Sequence, residues 1–151
     1  MVNILELQSP LSFLFHLIEP KLIQMSGISL SPLNNNLHSK AYEGNYEIIK
    51  EEILQDNKLL TAVDDSGRQL LHWAAVGGHE ELCSLLIEHG AIVDARDDSG
   101  WTPLIAAASA GRTLVVRLLI GRGADLNATN NGGHSALQYS ASKDHVEDVF
   151  S

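Results

Sequence analysis

Apolar and polar residues alternate along the middle of this chain with the spacing of short helices. In residues 80–90 (EELCSLLIEHG) apolar residues recur three and four positions apart, which places them on one face of a helix. A later segment has the same spacing, and its predicted apolar face consists of Leu114, Val115, Leu118, Leu119 and Ile120. Gly90 and Gly123 follow the two segments and suit the left-handed conformation in which many helices end. The pattern predicts a series of short amphipathic helices.

These helical segments recur with a period of 33 residues. The recurring small residues are Gly67, Gly100 and Gly133 and, further along each unit, Ala75, Ala108 and Ala141. Each unit begins with a polar turn and continues with a segment that reads QLLHWA, TPLIAA or SALQYS. A β-turn finger followed by two antiparallel helices at this period is typical of the ankyrin repeat. We therefore predict an all-α ankyrin-repeat solenoid.

The second repeat carries the local chemistry that this fold requires. Thr102 can cap a helix whose first residue, Pro103, has no amide hydrogen and already has the helical φ. The alanines at 106–108 allow this helix to lie close to its neighbours, and Gly111 turns the chain into the next helix. We expect a helix that starts without strain and packs closely on both sides.

The period also divides the chain into units. Residues 37–60 have the pattern of two helices without a preceding finger, which is typical of a capping unit with one polar face. The last unit stops at Ser151, before a full period is complete. We predict an irregular or partly disordered N-terminal extension at 1–36 and an ankyrin domain at 37–151, made of a capping unit at 37–63, repeats at 64–96 and 97–129, and a partial repeat at 130–151.

An apolar run at residues 11–18 (LSFLFHLI) allows more than one interpretation. It is too short to span a bilayer, which takes about 20 residues, and no basic segment precedes it. We expect no signal peptide and no membrane contact. Two alternatives stay open: a membrane-tethered or secreted form that uses residues 1–24, and a natural start at Met25.

The negative net charge of the chain argues against nucleic acid as a partner. The chain has a net charge of −9 and only ten Lys and Arg residues, so it lacks the basic stripe that binds nucleic acid. The expected partner is a protein with a basic patch. The single cysteine, Cys83, excludes a disulfide framework and falls on a second helix, where we expect a buried thiol in a reducing compartment, the cytoplasm and nucleus.

Catalytic motifs are missing from the sequence. His72, His79 and His89 do not have a metal-ligand spacing such as H-E-x-x-H, and their repeat positions give them structural roles. Neither a nucleophile motif nor a phosphate-binding loop is present. We expect a monomeric binding module that is not an enzyme and uses no cofactor or metal.

The residues that follow the turn glycines are the first candidates for a binding site. Arg68, Trp101 and His134 occupy this position and should form a row on the concave surface. An exposed Trp beside an Arg is typical of an interface hot spot, although Trp101 could instead pack on its own or a neighbouring finger, and Trp73 allows the same two interpretations. Most aspartates of the fingers should stabilise turns. The predicted partner-binding residues are Arg68, Trp73, Asp98, Ser99, Trp101, Arg112, His134 and Lys143.

Between residues 41 and 147 the sequence resembles the gankyrin family, the ankyrin-repeat non-ATPase regulatory subunits of the proteasome. The likeness lies in residues 71–74, 98–104, 107–112 and 141–143. It goes beyond the general ankyrin pattern, because that fold does not require Trp73, Trp101 or Arg112. The resemblance implies that this chain is a member of that family, shortened after the start of its fourth repeat.

The resemblance also implies a function. Proteins of this family are chaperones of regulatory-particle assembly that hold the C-terminal domain of one proteasomal ATPase subunit in their concave groove. Arg68 and Lys143 match positions whose cations meet acidic residues of that ATPase. Two differences stand out, since the chain lacks the later repeats and the retinoblastoma-binding L-x-C-x-E segment that they contain. An ankyrin adaptor for another partner, such as a cyclin-dependent kinase or a ubiquitin ligase, is the alternative.

Overall fold

The computed structural model describes residues 36–142. Within this range the chain forms seven α-helices and one short 3-10 helix, Asn57–Leu60. The α-helices are α1 Asn36–Glu43, α2 Tyr46–Gln55, α3 Leu70–Gly77, α4 Glu80–Glu88, α5 Pro103–Ser109, α6 Thr113–Gly121 and α7 Ala136–Ser142. The predicted all-α ankyrin solenoid is confirmed.

The helices form two rows. The inner row contains α1, α3, α5 and α7, each packed against the next, and the outer row contains α2, α4 and α6. The inner helices α1, α3 and α5 each pack also against the outer helix that follows them. The core between the rows repeats with the sequence, because equivalent positions are buried in every outer helix: Ile49, Leu82 and Val115, and one turn later Ile53, Leu86 and Leu119.

The helix start predicted in the second repeat is confirmed. The Thr102 hydroxyl oxygen accepts a hydrogen bond from the Ile105 amide at 3.2 Å, and Pro103 is the first helical residue. Gly111, which follows α5, has a φ of 73°, a conformation that suits glycine. The residues of α5 are buried throughout, so the small alanines do allow packing on both sides.

One prediction about α6 is wrong in part. Leu114, placed on the apolar face by the sequence, is 60% exposed, while Val116 is buried. The helix begins at Thr113, and the core lies on the face of Val115, Val116 and Leu119. This face is rotated from the predicted one, because an almost continuous apolar run (LVVRLLI) does not define a single direction.

The predicted capping unit contains α1, α2 and the 3-10 helix. In this unit the His38 side chain is buried, and its Nε2 donates to the Ala62 carbonyl at 3.2 Å. The apolar run at 11–18, the possible start at Met25 and the end of the partial repeat, with Lys143, lie outside the described residues.

Candidate protein-interaction site

The first residue of each finger closes its turn with a side-chain oxygen. This oxygen accepts hydrogen bonds from the amides two and four residues later, at 2.8 to 3.0 Å. The three residues that do this are Asp64, Asp97 and Asn130. Asp125 makes a similar bond to the Asn127 amide at 2.9 Å. The prediction that finger aspartates stabilise turns is confirmed for Asp64, Asp97 and Asp125.

Backbone hydrogen bonds join each finger to the next. The Asp98 amide donates to the Ser66 carbonyl at 3.0 Å, and one repeat later the Asn131 amide donates to the Ser99 carbonyl at the same distance. A Cβ atom at Gly67, which has a φ of 75°, would collide with the Asp98 carboxylate. The fingers are therefore fixed relative to one another and form a rigid row.

Arg68 lies under this row and not on its surface. Its Nε donates to Asp97 Oδ2 of the next finger at 2.9 Å, and its guanidinium lies 5.6 Å from the centre of the Trp73 ring. The residue is 1% exposed, so the prediction of an exposed binding cation is wrong. Burial lowers the pKa of Arg68, while Asp97 and Asp64 act in the opposite direction. The resemblance implied that Arg68 contacts an acidic surface of the ATPase, but a buried side chain cannot make this contact.

Both tryptophans are packing residues. Trp101 is 6% exposed and lies against Tyr139 of the next repeat, with 5.1 Å between ring centres. Trp73 is buried, donates from Nε1 to Asp64 Oδ2 at 2.8 Å and meets the Tyr42 ring edge-on. The prediction of Trp101 as an exposed hot spot is therefore wrong, and so is the contact interpretation of Trp73. The turn position of Trp101 suggested exposure, but the following repeat covers the ring.

His72 connects a helix start to the next finger. Its Nε2 donates to the Trp101 carbonyl at 2.9 Å, and its Nδ1 accepts from the Gln69 amide at 3.1 Å. Only the neutral ring can make both bonds, since a proton on Nδ1 would face the amide hydrogen. Burial lowers the pKa of His72 to about 4, in agreement with a neutral ring.

Arg112 also has a structural partner. Its Nε donates to the Val76 carbonyl at 2.8 Å, near the end of α3, and the side chain is half-buried. His79, at the equivalent position one repeat earlier, donates from Nε2 to the Tyr42 carbonyl at 2.7 Å. A cation near a helix C-terminus is favourable. Both side chains tie their repeat to the preceding one, so Arg112 is not a free cation for a partner.

A family model for ankyrin repeats, in three copies, matches residues 37–130 and 94–150. The chain belongs to the ankyrin-repeat family. It is also similar to the human protein named 26S proteasome non-ATPase regulatory subunit 10, with 48% identity over 42 residues. This match covers 28% of the chain and 19% of that relative. The mouse and rat proteins of the same name are 45% and 46% identical over 42 residues, 18% of their length.

The similarity to these relatives is thus shorter than the sequence led us to expect. The resemblance was predicted from residue 41 to 147, whereas each match spans 42 residues and less than a fifth of the relative's length. These matches establish the ankyrin repeats and a similarity to the proteasome subunit over 42 residues. The function of the whole relative is therefore only proposed for this chain.

The exposed ankyrin fingers form the candidate interaction surface. Of the residues predicted from sequence, Asp98, Ser99 and His134 are exposed, and Asp65 and Asn131 lie beside them on equivalent fingers. We call these five residues the finger row. Two carboxylates and one imidazole stand in it on a backbone fixed by the inter-finger bonds. The sequence missed Asp65 and Asn131, although their position, 33 residues to either side of Asp98, could have identified them.

The cysteine and the remaining histidines of the described ankyrin units are buried or bonded to the backbone. Between residues 36 and 142, no group of His, Cys, Asp or Glu side chains is placed to hold a metal, and no helix could cross a bilayer. Cys83 is buried, as predicted, and burial raises the pKa of its thiol to about 12. His72, His79 and His89 all bond backbone carbonyls, which confirms their structural roles.

Proposed function

We propose that this ankyrin chain is a non-enzymatic chaperone of proteasome regulatory-particle assembly, which binds the C-terminal domain of a proteasomal ATPase subunit with its finger row. The observation that carries the proposal is the fixed, exposed finger row on a chain that is similar to a 26S proteasome regulatory subunit. We also propose a location in the cytoplasm and nucleus, since a single buried thiol suits a reducing compartment.

Rigidity supports a binding function for this surface. The side chains of Asp65, Asp98 and His134 stand on turns that are closed from within and bonded to each other, so little backbone entropy is lost on binding. Arg68 and Trp101 support this surface indirectly, because their contacts with Asp97 and Tyr139 hold neighbouring repeats together. The affinity then depends on polar groups, and basic side chains of the partner would meet Asp65 and Asp98.

Calorimetry with the full chain and the ATPase C-terminal domain tests the proposal. We expect Asp98→Ala and His134→Ala to weaken binding about tenfold each, which corresponds to about 1.4 kcal/mol. Leu114→Ala is the matched control, since Leu114 is also exposed but lies on the outer helix α6, and it should leave the affinity unchanged. Circular dichroism verifies that each variant is folded. A folded chain that does not bind the ATPase domain would contradict the proposal.

The burial of Arg68 favours a second candidate function. The proteasomal interpretation uses a cation at this position, and the cation is paired with Asp97 inside the protein. We propose an ankyrin adaptor for a cyclin-dependent kinase or a ubiquitin ligase as the alternative, in which the exposed finger row binds without a contact from Arg68. Binding of one of these proteins, lost in Asp98→Ala and combined with indifference to the ATPase domain, would support this second candidate.

A further inference from the structure

The third finger, residues 130–134 (NNGGH), is less covered than the second. Gly100 of the second finger is buried, and a Cβ atom there would collide with Asn131 of the third. Gly133, at the equivalent position of the third finger, is exposed, and a Cβ atom there would meet no described atom within 4 Å. Because few contacts hold this finger, we expect it to open locally more easily than the second one.

The exposed tip of the third finger contains an Asn-Gly pair, Asn131 and Gly132. These are the two central residues of a turn, which the Gly133 amide closes by donating to the Asn130 carbonyl at 2.9 Å. In an Asn-Gly pair the backbone nitrogen of the glycine can attack the side-chain amide of the asparagine, because glycine has no Cβ atom to hinder the approach and a freely adjustable backbone. The tip therefore contains the groups for an intramolecular reaction.

Two hydrogen bonds oppose this reaction while the finger is closed. The Gly132 amide, whose nitrogen is the attacking atom, donates to Asn130 Oδ1 at 3.0 Å. The side-chain amide of Asn131, which is the group under attack, donates from Nδ2 to the Asp98 carbonyl at 3.3 Å. Since both bonds fix the reacting groups within the turn, the reaction requires that the finger opens.

We propose that Asn131 is a site of spontaneous deamidation that is gated by opening of the third finger. The Gly132 nitrogen loses its proton to water and forms a bond to Asn131 Cγ, the Cγ–Nδ2 bond breaks, and ammonia leaves a succinimide ring behind. Water then opens the ring at either carbonyl carbon, which gives aspartate or isoaspartate at position 131. In total the chain takes up water and releases ammonia, without oxidation or reduction.

The product changes the charge and the bonding of the finger row. Position 131 is equivalent to Asp65 and Asp98, so the aspartate form has a carboxylate at this position on all three fingers. Aspartate lacks the Nδ2 donor, and a carboxylate oxygen would face the Asp98 carbonyl in its place. Deamidation therefore makes the row more acidic and loosens the third finger from the second. This inference concerns the finger itself and holds whichever partner the row binds.

Site-resolved mass spectrometry of the full chain tests the proposal. Trypsin releases residues 123–143 as one peptide, which contains Asn131 together with Asn127 and Asn130. The last two asparagines are not followed by glycine and are internal controls. During incubation in mildly alkaline buffer we expect Asn131 to convert to aspartate and isoaspartate at least about tenfold faster than either control.

Two comparisons test the chemistry and the gate separately. Gly132→Ala should slow the conversion severalfold, because the added methyl group hinders the attack. The fold should tolerate it, since Gly132 does not have a positive φ and the atom nearest to an added Cβ, at 3.0 Å, is in the exposed His134 side chain. Native protein should convert about tenfold more slowly than guanidinium-unfolded protein, and not the about thousandfold more slowly that global unfolding would require.

Each outcome of these experiments supports the site or overturns it. Equal conversion of the three asparagines, or no conversion of Asn131 in native protein, would overturn the proposal. An unchanged rate in Gly132→Ala would show that the Gly132 nitrogen is not the attacking group. Equal rates in native and unfolded protein would show that the finger provides no gate.

Hydrogen exchange in Asn131→Asp, which reproduces the aspartate product, tests the loosening of the finger. The amide at position 131 donates to the Ser99 carbonyl and should exchange severalfold faster in the variant, because the side-chain bond beside it is lost. The Asp98 amide donates to the Ser66 carbonyl one repeat earlier and should exchange at its wild-type rate. Wild-type exchange at position 131 would contradict the loosening.

Discussion

Arg68 and Asp97 form a buried ion pair that joins two consecutive ankyrin fingers. The distance between Arg68 Nε and Asp97 Oδ2 is 2.9 Å, and both side chains are inaccessible to solvent. Asp97 uses its other carboxylate oxygen to close its own turn, through the amides of Ser99 and Trp101. One carboxylate therefore fixes the shape of its finger and the position of the finger before it.

Removal of one member of this pair should be costly. We expect Arg68→Ala to lower the free energy of unfolding by about 3 to 5 kcal/mol, because it leaves the Asp97 charge buried and unpaired. Arg122→Ala is the control, since Arg122 contacts Glu88 at 3.6 Å in an exposed pair worth about 0 to 1 kcal/mol. Urea unfolding measures both variants. Similar losses in the two variants would show that the buried pair has no special role.

The sequence was sufficient for the fold because the period of 33 determines the order and length of the elements. It was not sufficient for the site. Arg68, Trp101 and His134 occupy one repeat position, yet Arg68 is covered by Asp97 and Trp73, Trp101 by Tyr139, and His134 is exposed. The residue that covers a side chain belongs to another element, so a position within one repeat does not determine its exposure.

Side chains that point out of a finger were easier to place. Asp98, Ser99 and His134 were predicted as surface residues and are exposed, because a turn that projects from the stack has few neighbours. Arg112 was predicted as a partner-binding residue, but its side chain bonds within the protein. Its Nε donates to a carbonyl near the end of a helix in the preceding repeat, so the side chain joins two repeats.

Acid should destabilise the fold through His72. The pKa of His72 is lowered by burial to about 4 in the folded chain, against 6.5 for an ordinary histidine. The unfolded chain therefore takes up the proton first as the pH falls. The stability that the neutral ring provides is complete above pH 6.5 and is lost progressively down to about pH 4, by about 3 kcal/mol in total. The positive charge of Arg68 also lowers the pKa of His72, whereas the negative charge of Asp97 raises it.

The variant His72→Gln separates this titration from that of the carboxylates. At pH 7 it should be less stable than the wild type by about 1 to 3 kcal/mol, because buried hydrogen bonds are lost. Between pH 7 and pH 4 the difference in unfolding free energy should shrink, since only the wild type loses the contribution of the neutral ring. Chemical unfolding at several pH values measures it, and a constant difference would rule out His72 as the titrating group.

Three leucines at one repeat position should show how each repeat depends on its neighbours. Leu71 and Leu104 are 0% and 1% exposed, whereas Leu137 is 48% exposed. We expect Leu71→Ala and Leu104→Ala to cost about 2 to 5 kcal/mol and Leu137→Ala less than about 1 kcal/mol. The chemical change is the same in each variant, so thermal or urea unfolding compares burial alone. A large cost at Leu137 would mean that this side chain is covered in solution.

Cys83 should report on opening of the stack without any added probe. The thiol lies on α4, is buried in the core between the two helix rows, and has a pKa raised to about 12, so native protein at pH 7 presents almost no accessible thiolate. Alkylation by iodoacetamide then requires local or global unfolding. For a domain with a stability of about 5 kcal/mol, labelling should be at least about a thousandfold slower than in urea-unfolded protein.

Leu114→Cys supplies an exposed thiol in the same chain and should react at the unfolded rate, while Arg68→Ala should accelerate labelling of Cys83 in proportion to its loss of stability. If Cys83 reacts as fast as the thiol at position 114, then the outer row opens independently of the inner row, and the core shared by the two rows does not unfold as one unit.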